Sequence, residues 1–360
     1  MNKEKKKLAL LDIMKFIFAC MIVLIHLPGS MSRPAWLVYD YSSVPALIKT
    51  FVICPFMRIG VPFFFIASSY FLFKKAEKAE NKKEVISGYV KRNLILYGIW
   101  LLLNVVYAVK VHQLYIFVPG HQTLGHLKRF MEHLIFGSTF GASWFLMACV
   151  IDSIILGIVL YGIKSEKLAW IISVICFLLC CLTTNYRPLL EGNHIGELLI
   201  KADVRMMNFH TSFLCGFIYF MIGRAIVKNE AKITLGFKQL CILEALAFIL
   251  MQAEFLFQNK VIGSGSIGNT SLMLPVVAAL SVILCIKCDM EYKPWYQFFR
   301  NASIIMYCTH RSVFMCLKYL CRYVYLETMA AYVLCIVICA AIAWVIITLS
   351  KKYKVFRYLY

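Results

Sequence analysis

Apolar stretches of membrane length, separated by short polar joints, fill this chain from residue 8 to residue 350. A helix that crosses the hydrocarbon core needs about 20 apolar residues. Ten stretches meet that measure, at roughly 8–28, 51–73, 93–111, 143–163, 167–184, 209–227, 239–257, 271–287, 301–321 and 329–350. The pattern predicts an all-α fold, a polytopic transmembrane helical bundle of about ten spans, with residues 1–360 forming a single domain. The first stretch is too long and too polar for a signal peptide, and no small-residue cleavage pattern follows it. It is expected to stay as an anchor.

The polar joints alternate in charge. Those at 74–92, 164–167, 228–238 and 287–300 are basic, like residues 1–7 and the tail KKYKVFRYLY at 351–360. With 1–7 and 351–360 as cytoplasmic tails, all of these fall inside. Roughly twice as many Lys and Arg then lie on the inner side as on the outer, as the positive-inside rule requires. The expected orientation is N-in and C-in, in the plasma membrane, and an even number of spans fits it. The longest outer loops, 29–50, 112–142 and 185–208, are rich in His, Tyr, Trp and Asn. They suit either the gating of a cavity or an ordinary aromatic belt.

Composition narrows the function. Hydrophobic residues make up 61% of the chain, so the bundle itself is its core. The net charge of +20 is spread through the joints between spans, which explains it without nucleic acid. The fifteen cysteines lie mostly inside apolar segments and read as small buried hydrophobes. Cys285 and Cys288 form one CxxC, which without a second pair is a weak metal or redox signal. No P-loop and no internal repeat is present, and no metal is expected.

Ionisable groups inside the spans carry the chemical information, because a charge in the bilayer is costly and marks a functional site by default. The first span holds Asp12, Lys15 and His26. Lys15 and His26 are eleven residues apart, three turns plus about 20°, hence on one face and roughly 16 Å apart along the axis. Position alone leaves His26 balanced between an interfacial residue and a general base; the alignment with Lys15 favours the base. Arg58 opens the second span ahead of Pro62, Ser68 and Ser69. Its planar fork suits a phosphate or carboxylate, or a buried acid such as Asp12. Pro62 is expected to break the helical ladder, with Ser68 and Ser69 satisfying freed groups or admitting a neighbouring helix. Lys91 and Arg92, at the inner mouth of the third span, fit either cofactor phosphates or simple positive-inside charges. Asp152, Glu244 and Glu254 are intramembrane acids that would serve structural pairing or a proton relay. Tyr307 and His310 share a face of the ninth span, with Arg311 next in sequence.

These residues fall into motifs. The first span reads L-D-x-x-K, with ten residues between Lys15 and His26. The second reads R-I-G-V-P-F-F-F-I-A-S-S-Y, the fourth opens S-W-F-L around Trp144, and the ninth reads N-A-S-I-I-M-Y-C-T-H. In this order, on a ten-span frame, they resemble the acyltransferase-3 family of integral membrane acyltransferases over about residues 8–350. Two departures stand out. Ser69 occupies a position where the family carries glycine. No further arginine follows Arg92 one turn on, where Leu96 and Tyr97 stand. The chain resembles the stand-alone membrane form, without a fused esterase-like or racemase domain.

The resemblance implies an O-acyltransferase. The donor would be a cytoplasmic acyl-CoA, with acetyl-CoA expected. The acceptor would be a hydroxyl of an envelope glycan or lipid-linked saccharide. His26 would be general base or transient acyl carrier, Lys15 and Arg58 would hold the donor or the oxyanion, and Asp12 would orient them. Lys91, Arg92, Ser68, Trp144, Tyr307 and His310 would line the substrate and donor sites. The rival class is a polysaccharide or solute exporter, with Asp152, Glu244 and Glu254 coupling ions. A membrane sensor or scaffold is a third. The oligomeric state is left open.

Overall fold

A computed structural model describes residues 8–27, 41–114, 123–264, 270–320 and 328–360. Among these residues the regular structure is entirely helical. In chain order the helices are α1 (Ala9–Ile25), α2 (Val44–Ile48), α3 (Cys54–Ala76), α4 (Lys82–Leu103), α5 (Val105–Val111), α6 (Thr123–Phe136), α7 (Trp144–Gly157), α8 (Glu166–Thr183), α9 (His194–Arg205), α10 (Phe213–Asn229), α11 (Phe237–Phe257), α12 (Leu274–Lys287), α13 (Tyr296–Leu320) and α14 (Thr328–Lys352). A π-helical turn at Lys49–Ile53 fuses α2 to α3, making one rod from Val44 to Ala76.

Each of the ten predicted segments coincides with a helix. Fewer of them are long and apolar enough to cross a membrane: six among the described residues, or seven if the bent pair α4–α5 counts as one span. The shortfall has a physical source. At 17 and 14 residues, α1 and α12 are short and pack against α3, while α13 is long enough at 25 residues but carries Arg300, Arg311 and Lys318 and runs along α1. Helices enclosed by other helices need not match lipid thickness. The residues place a multi-pass helical protein in a membrane.

The predicted third span, 93–111, is corrected. Its helix starts at Lys82, capped by Asn81, whose Oδ1 accepts from the Glu84 N–H at 3.2 Å. It ends at Leu103 and bends by 75° into α5. Asn104 sits at the bend. Its Nδ2 donates to the carbonyls of Trp100 and Cys308, and its Oδ1 accepts from Ser312 Oγ at 2.5 Å. The side chain thus supplies polar partners where the helical ladder changes direction.

Pro62 takes one bond out of the ladder, having no N–H, but does not end the helix: α3 runs through it. Ser69 Oγ donates to the carbonyls of Ile66 and, across to α10, Tyr219. Opposite it stands Gly223, where a Cβ would collide with Ser69 Oγ and crowd the Ile66 carbonyl at 2.8 Å. The small residue that lets α3 and α10 close is therefore on α10. Serine is tolerated at 69 because glycine faces it.

Most basic joints meet at one end of the bundle. Lys74 pairs with Glu230 at 2.9 Å, Arg224 with Glu77 at 2.8 Å, and Lys228 with Glu166 at 2.5 Å. Lys287 donates to the Ile233 carbonyl at 2.6 Å. Asp12, at the start of α1, accepts from Tyr292 in the 287–300 joint at 3.1 Å. The segment after α14 docks on the same end, beside α4. The start of α1 and the end of α14 therefore share one face. The predicted loops 112–142 and 185–208 contain the amphipathic helices α6 and α9, joined by two hydrogen bonds from Arg205 to Glu132 at 2.9 and 2.8 Å. The parts of the predicted loops at 29–40 and 115–122 lie outside the described residues, as do residues 1–7.

Candidate active site

The site centres on two imidazoles. His26 closes the C-terminal end of α1, and the Ile22 carbonyl accepts from its Nδ1 at 2.8 Å. A carbonyl oxygen can only accept, so Nδ1 carries the proton and Nε2 presents its lone pair. His310 on α13 is fully buried and uses the same arrangement: Nδ1 donates to the Met306 carbonyl at 3.1 Å. Its Nε2 has no hydrogen-bond partner among the described residues. The two ring centroids are 5.1 Å apart. Close packing of α1 on α13 produces this pairing.

Two guanidinium groups flank the rings. Arg311 donates from Nη1 to the His26 carbonyl at 3.4 Å, and its charge acts on both imidazoles. Its Nε–H is buried and has no partner among the described residues. Room for this side chain comes from Gly141, which adopts φ +51° and where a Cβ would stand 3.1 Å from Arg311 Cγ. Arg58, buried on α3, acts on His26 and on His210 of the turn Phe209–Thr211. Asp203 fixes that turn by accepting from the Phe209 N–H at 2.7 Å and from Thr183 Oγ1 at 3.0 Å.

An aromatic wall adjoins the rings. Tyr307 is 6.2 Å from His310 between centroids, and its hydroxyl donates to the Ala142 carbonyl. Phe145 packs on Tyr307, and Trp144 lies against Phe65. Ser143 holds the preceding turn by accepting from the Thr139 and Phe140 N–H groups. Ser68 is displaced from this wall. It bonds Tyr89 at 2.6 Å in a separate polar group between α3 and α4.

Asp12 and Lys15 form a second centre. Asp12 is buried; its carboxylate accepts from Tyr292 and faces Arg300 at 3.8 Å. Lys15 lies over the Phe71 ring at 5.2 Å, within the fields of Asp12, Arg300 and Arg92. The expected common orientation of Lys15 and Arg58 by Asp12 is therefore divided. Asp12 acts on Lys15, and Arg58 belongs to the imidazole centre. About 16 Å of helix separates Lys15 from His26. Lys91 and Arg92 sit on exposed turns of α4, beside a cavity of about 320 Å³.

A family model described as an acyltransferase domain matches residues 8–348. The chain belongs to the acyltransferase-3 family. Over 182 residues, 51% of its length, the chain is 24% identical to an amino-acid racemase of Enterococcus faecalis. That alignment takes in 22% of the racemase, so the chain covers a minor part of its relative's length. No solved structure matches.

Of the remaining intramembrane acids, Glu254 and Glu244 are hydrogen-bonded, while both Asp152 carboxylate oxygens are buried without a hydrogen-bond partner among the described residues. Glu254 accepts from the N–H groups of Leu272 and Met273, at 2.6 and 2.8 Å, from Tyr186 at 3.0 Å and from Gln258 at 3.0 Å. It caps the start of α12, with three of these bonds on Oε1 and one on Oε2. Glu244 accepts from Ser281 at 2.5 Å. Asp152 is fully buried against Gly216, whose missing Cβ makes the space for its carboxylate. All described cysteines, Cys285 and Cys288 included, are free thiols. Among the described residues no three His, Cys, Asp or Glu side chains converge as metal ligands.

Sequence reasoning passed over His210 and gave Arg311 no role. His210 lies in a loop and enters the site only through the fold. Arg311, one residue after His310 on a helix, faces a different direction in a projection. Its long side chain still reaches the His26 carbonyl.

Proposed function

We propose that this acyltransferase moves an acyl group, acetyl in the simplest case, from coenzyme A to a hydroxyl of an envelope glycan or lipid-linked saccharide. The carrying observation is the His26–His310 pair, with His26 held by the Ile22 carbonyl in the tautomer a general base requires. His26 Nε2 takes the proton of the acceptor hydroxyl while that oxygen attacks the thioester carbonyl. The tetrahedral oxyanion forms beside Arg311 Nε–H and the Arg58 guanidinium, two donors already in place. Collapse breaks the C–S bond. The thiolate leaves with the proton held by His26, and the products are an ester and a free thiol. His310 supports the imidazole face, and Tyr307 and Trp144 line the approach of the sugar.

In this reading the bundle has ten crossings, counting the short helices, and lies N-in and C-in in the plasma membrane. The basic joints, the start of α1 and the end of α14 share one face, which supports that orientation. The donor's phosphates sit among Lys91, Arg92 and Lys15 at the inner end. Its thioester reaches His26, about 16 Å further along α1. Against the exporter reading, Glu254 already has a structural role in capping α12.

The test is base-labile acyl groups on purified envelope glycan from cells carrying the native chain or His26→Ala at equal membrane levels. Loss of the acyl groups with glycan amount unchanged supports acyl transfer. Loss of the surface glycan itself would support export instead.

A further inference from the structure

The chain folds back on itself after α14. A 3₁₀ segment, Lys354–Leu359, lies along α4 between Gly88 and Trp100. Three bonds hold it there: Trp100 Nε1 donates to the Leu359 carbonyl at 3.1 Å, Ser350 Oγ and the Tyr360 hydroxyl are joined at 2.6 Å, and Arg357 Nε donates to the Ser350 carbonyl at 3.1 Å. Between this segment and α4 is the cavity of about 320 Å³, lined by Lys91, Arg92, Leu96, Arg357, Tyr358 and Tyr360.

The charge here is unbalanced. Elsewhere at this end cations meet acids, as in Lys74–Glu230, Arg224–Glu77 and Lys228–Glu166. Lys91, Arg92 and Arg357 form no ion pair among the described residues, although Glu80 and Glu84 border a neighbouring groove that Lys91 shares. Three like charges around one small cavity repel each other until an anion enters. With Nε spent on Ser350, the Arg357 fork is oriented and both terminal nitrogens are left for a ligand. The Tyr358 and Tyr360 rings and Leu96 give a flat or apolar part of that ligand a surface.

We propose that Arg357 is a phosphate-holding residue of the donor site, brought to Lys91 and Arg92 by the C-terminal segment. It takes, in space, the place left empty in sequence one turn after Arg92, where Leu96 and Tyr97 stand. The ligand class is a phosphorylated nucleotide end carrying more than one phosphate group, such as the adenosine end of coenzyme A. This inference rests on the acyl-CoA donor proposed above. A phosphate could also arrive on a lipid headgroup, and basic pockets at this depth bind such lipids too.

The experiment uses the purified full-length protein and desulfo-coenzyme A, which binds without reacting, in lipid nanodiscs with and without phosphatidylglycerol. Arg357→Ala is expected to weaken binding about tenfold or more, as loss of a charged hydrogen bond does. Arg92→Ala should match it, Arg357→Lys should recover part of the loss, and Lys354→Ala should bind as the native chain does. Because Arg357 also anchors the segment, Trp100→Phe serves as a second variant: it loosens the segment with Arg357 intact and should weaken binding as well. If Arg92→Ala loses binding while Arg357→Ala and Trp100→Phe keep it, the inference is overturned and the donor reading stands. If none of these variants affects desulfo-coenzyme A, both fall. If Arg357→Ala reduces only co-purifying phosphatidylglycerol, the pocket belongs to lipid and the inference is overturned.

Discussion

His26 and His310 face each other across the contact of α1 with α13, their ring centroids 5.1 Å apart, and each donates from Nδ1 to the carbonyl four residues before it. Both rings therefore leave Nε2 unprotonated. Replacing His26 by alanine is expected to lower turnover by about 10²–10⁴-fold, the usual contribution of a positioned base. His26→Asn, which fills part of the space without a base, should lose as much. The measurement is acyl transfer by purified protein at matched folding, judged by thermal stability.

Arg311 has one hydrogen bond to protein, and its Nε–H is free for a developing charge. Arg311→Ala is expected to reduce kcat by about 10²–10³-fold, the cost of one oxyanion donor. The KM for the donor should change little if, as proposed, its phosphates bind at the far end. A loss confined to KM would remove Arg311 from the transition state. Gly141→Ala should reproduce part of the kcat effect, because the new Cβ crowds Arg311 Cγ and alanine is strained at φ +51°.

Gly223→Ala should destabilise the bundle by forcing α10 away from α3. Overpacking of this kind costs about 1–3 kcal/mol. Adding Ser69→Gly removes the colliding hydroxyl but leaves the Ile66 carbonyl and Tyr70 N–H, at 2.8 and 2.9 Å from the new Cβ. Partial recovery of thermal stability in the double variant is the expected result; none, or full recovery, would place the strain elsewhere.

The segment before α7 contains a pH-sensitive contact between α5 and α6. His133 on α6 lies 4.6 Å from His112, ring to ring, with Arg129 and Glu132 beside it and Arg205 holding Glu132. Burial, the neighbouring His112 and Arg129 bring the His133 pKa down to about 4, below its ordinary value of 6.5. The unfolded state therefore binds the proton more readily. The contact is fully formed above pH 6.5 and weakens as the pH falls from there toward 4. Hydrogen exchange along α6 should speed up over that window, and His133→Phe should flatten the response.

The ten apolar runs, the gathering of the basic joints and the shared face of Tyr307 and His310 were all legible in the chain, because each follows from local periodicity or charge. The imidazole pair was half legible: both histidines stand out in apolar spans, but their contact joins residues 284 apart. What periodicity cannot carry is a partner in another segment. The bend at Asn104, the seating of Arg311 over Gly141 and the return of Arg357 to Arg92 each depend on such a partner. The stripe through Asp12, Lys15 and His26 is real as geometry, yet it spans two centres rather than one. A helix long enough to cross most of a bilayer can serve both ends of a reaction path.

Asn104 has a consequence for how the chain is made. Beyond the local Trp100 carbonyl, its amide finds its partners in the Cys308 carbonyl and the Ser312 hydroxyl, 204 and 208 residues downstream, and its Oδ1 has the latter as donor. When α4 and α5 leave the ribosome those partners do not yet exist, and an unpaired amide is costly in hydrocarbon. The early helix pair must wait near the interface, in water's reach, until α13 is synthesised. The step that locks the bend is the same one that brings His310 to His26, so catalytic competence arrives late in biogenesis, with the second-to-last helix.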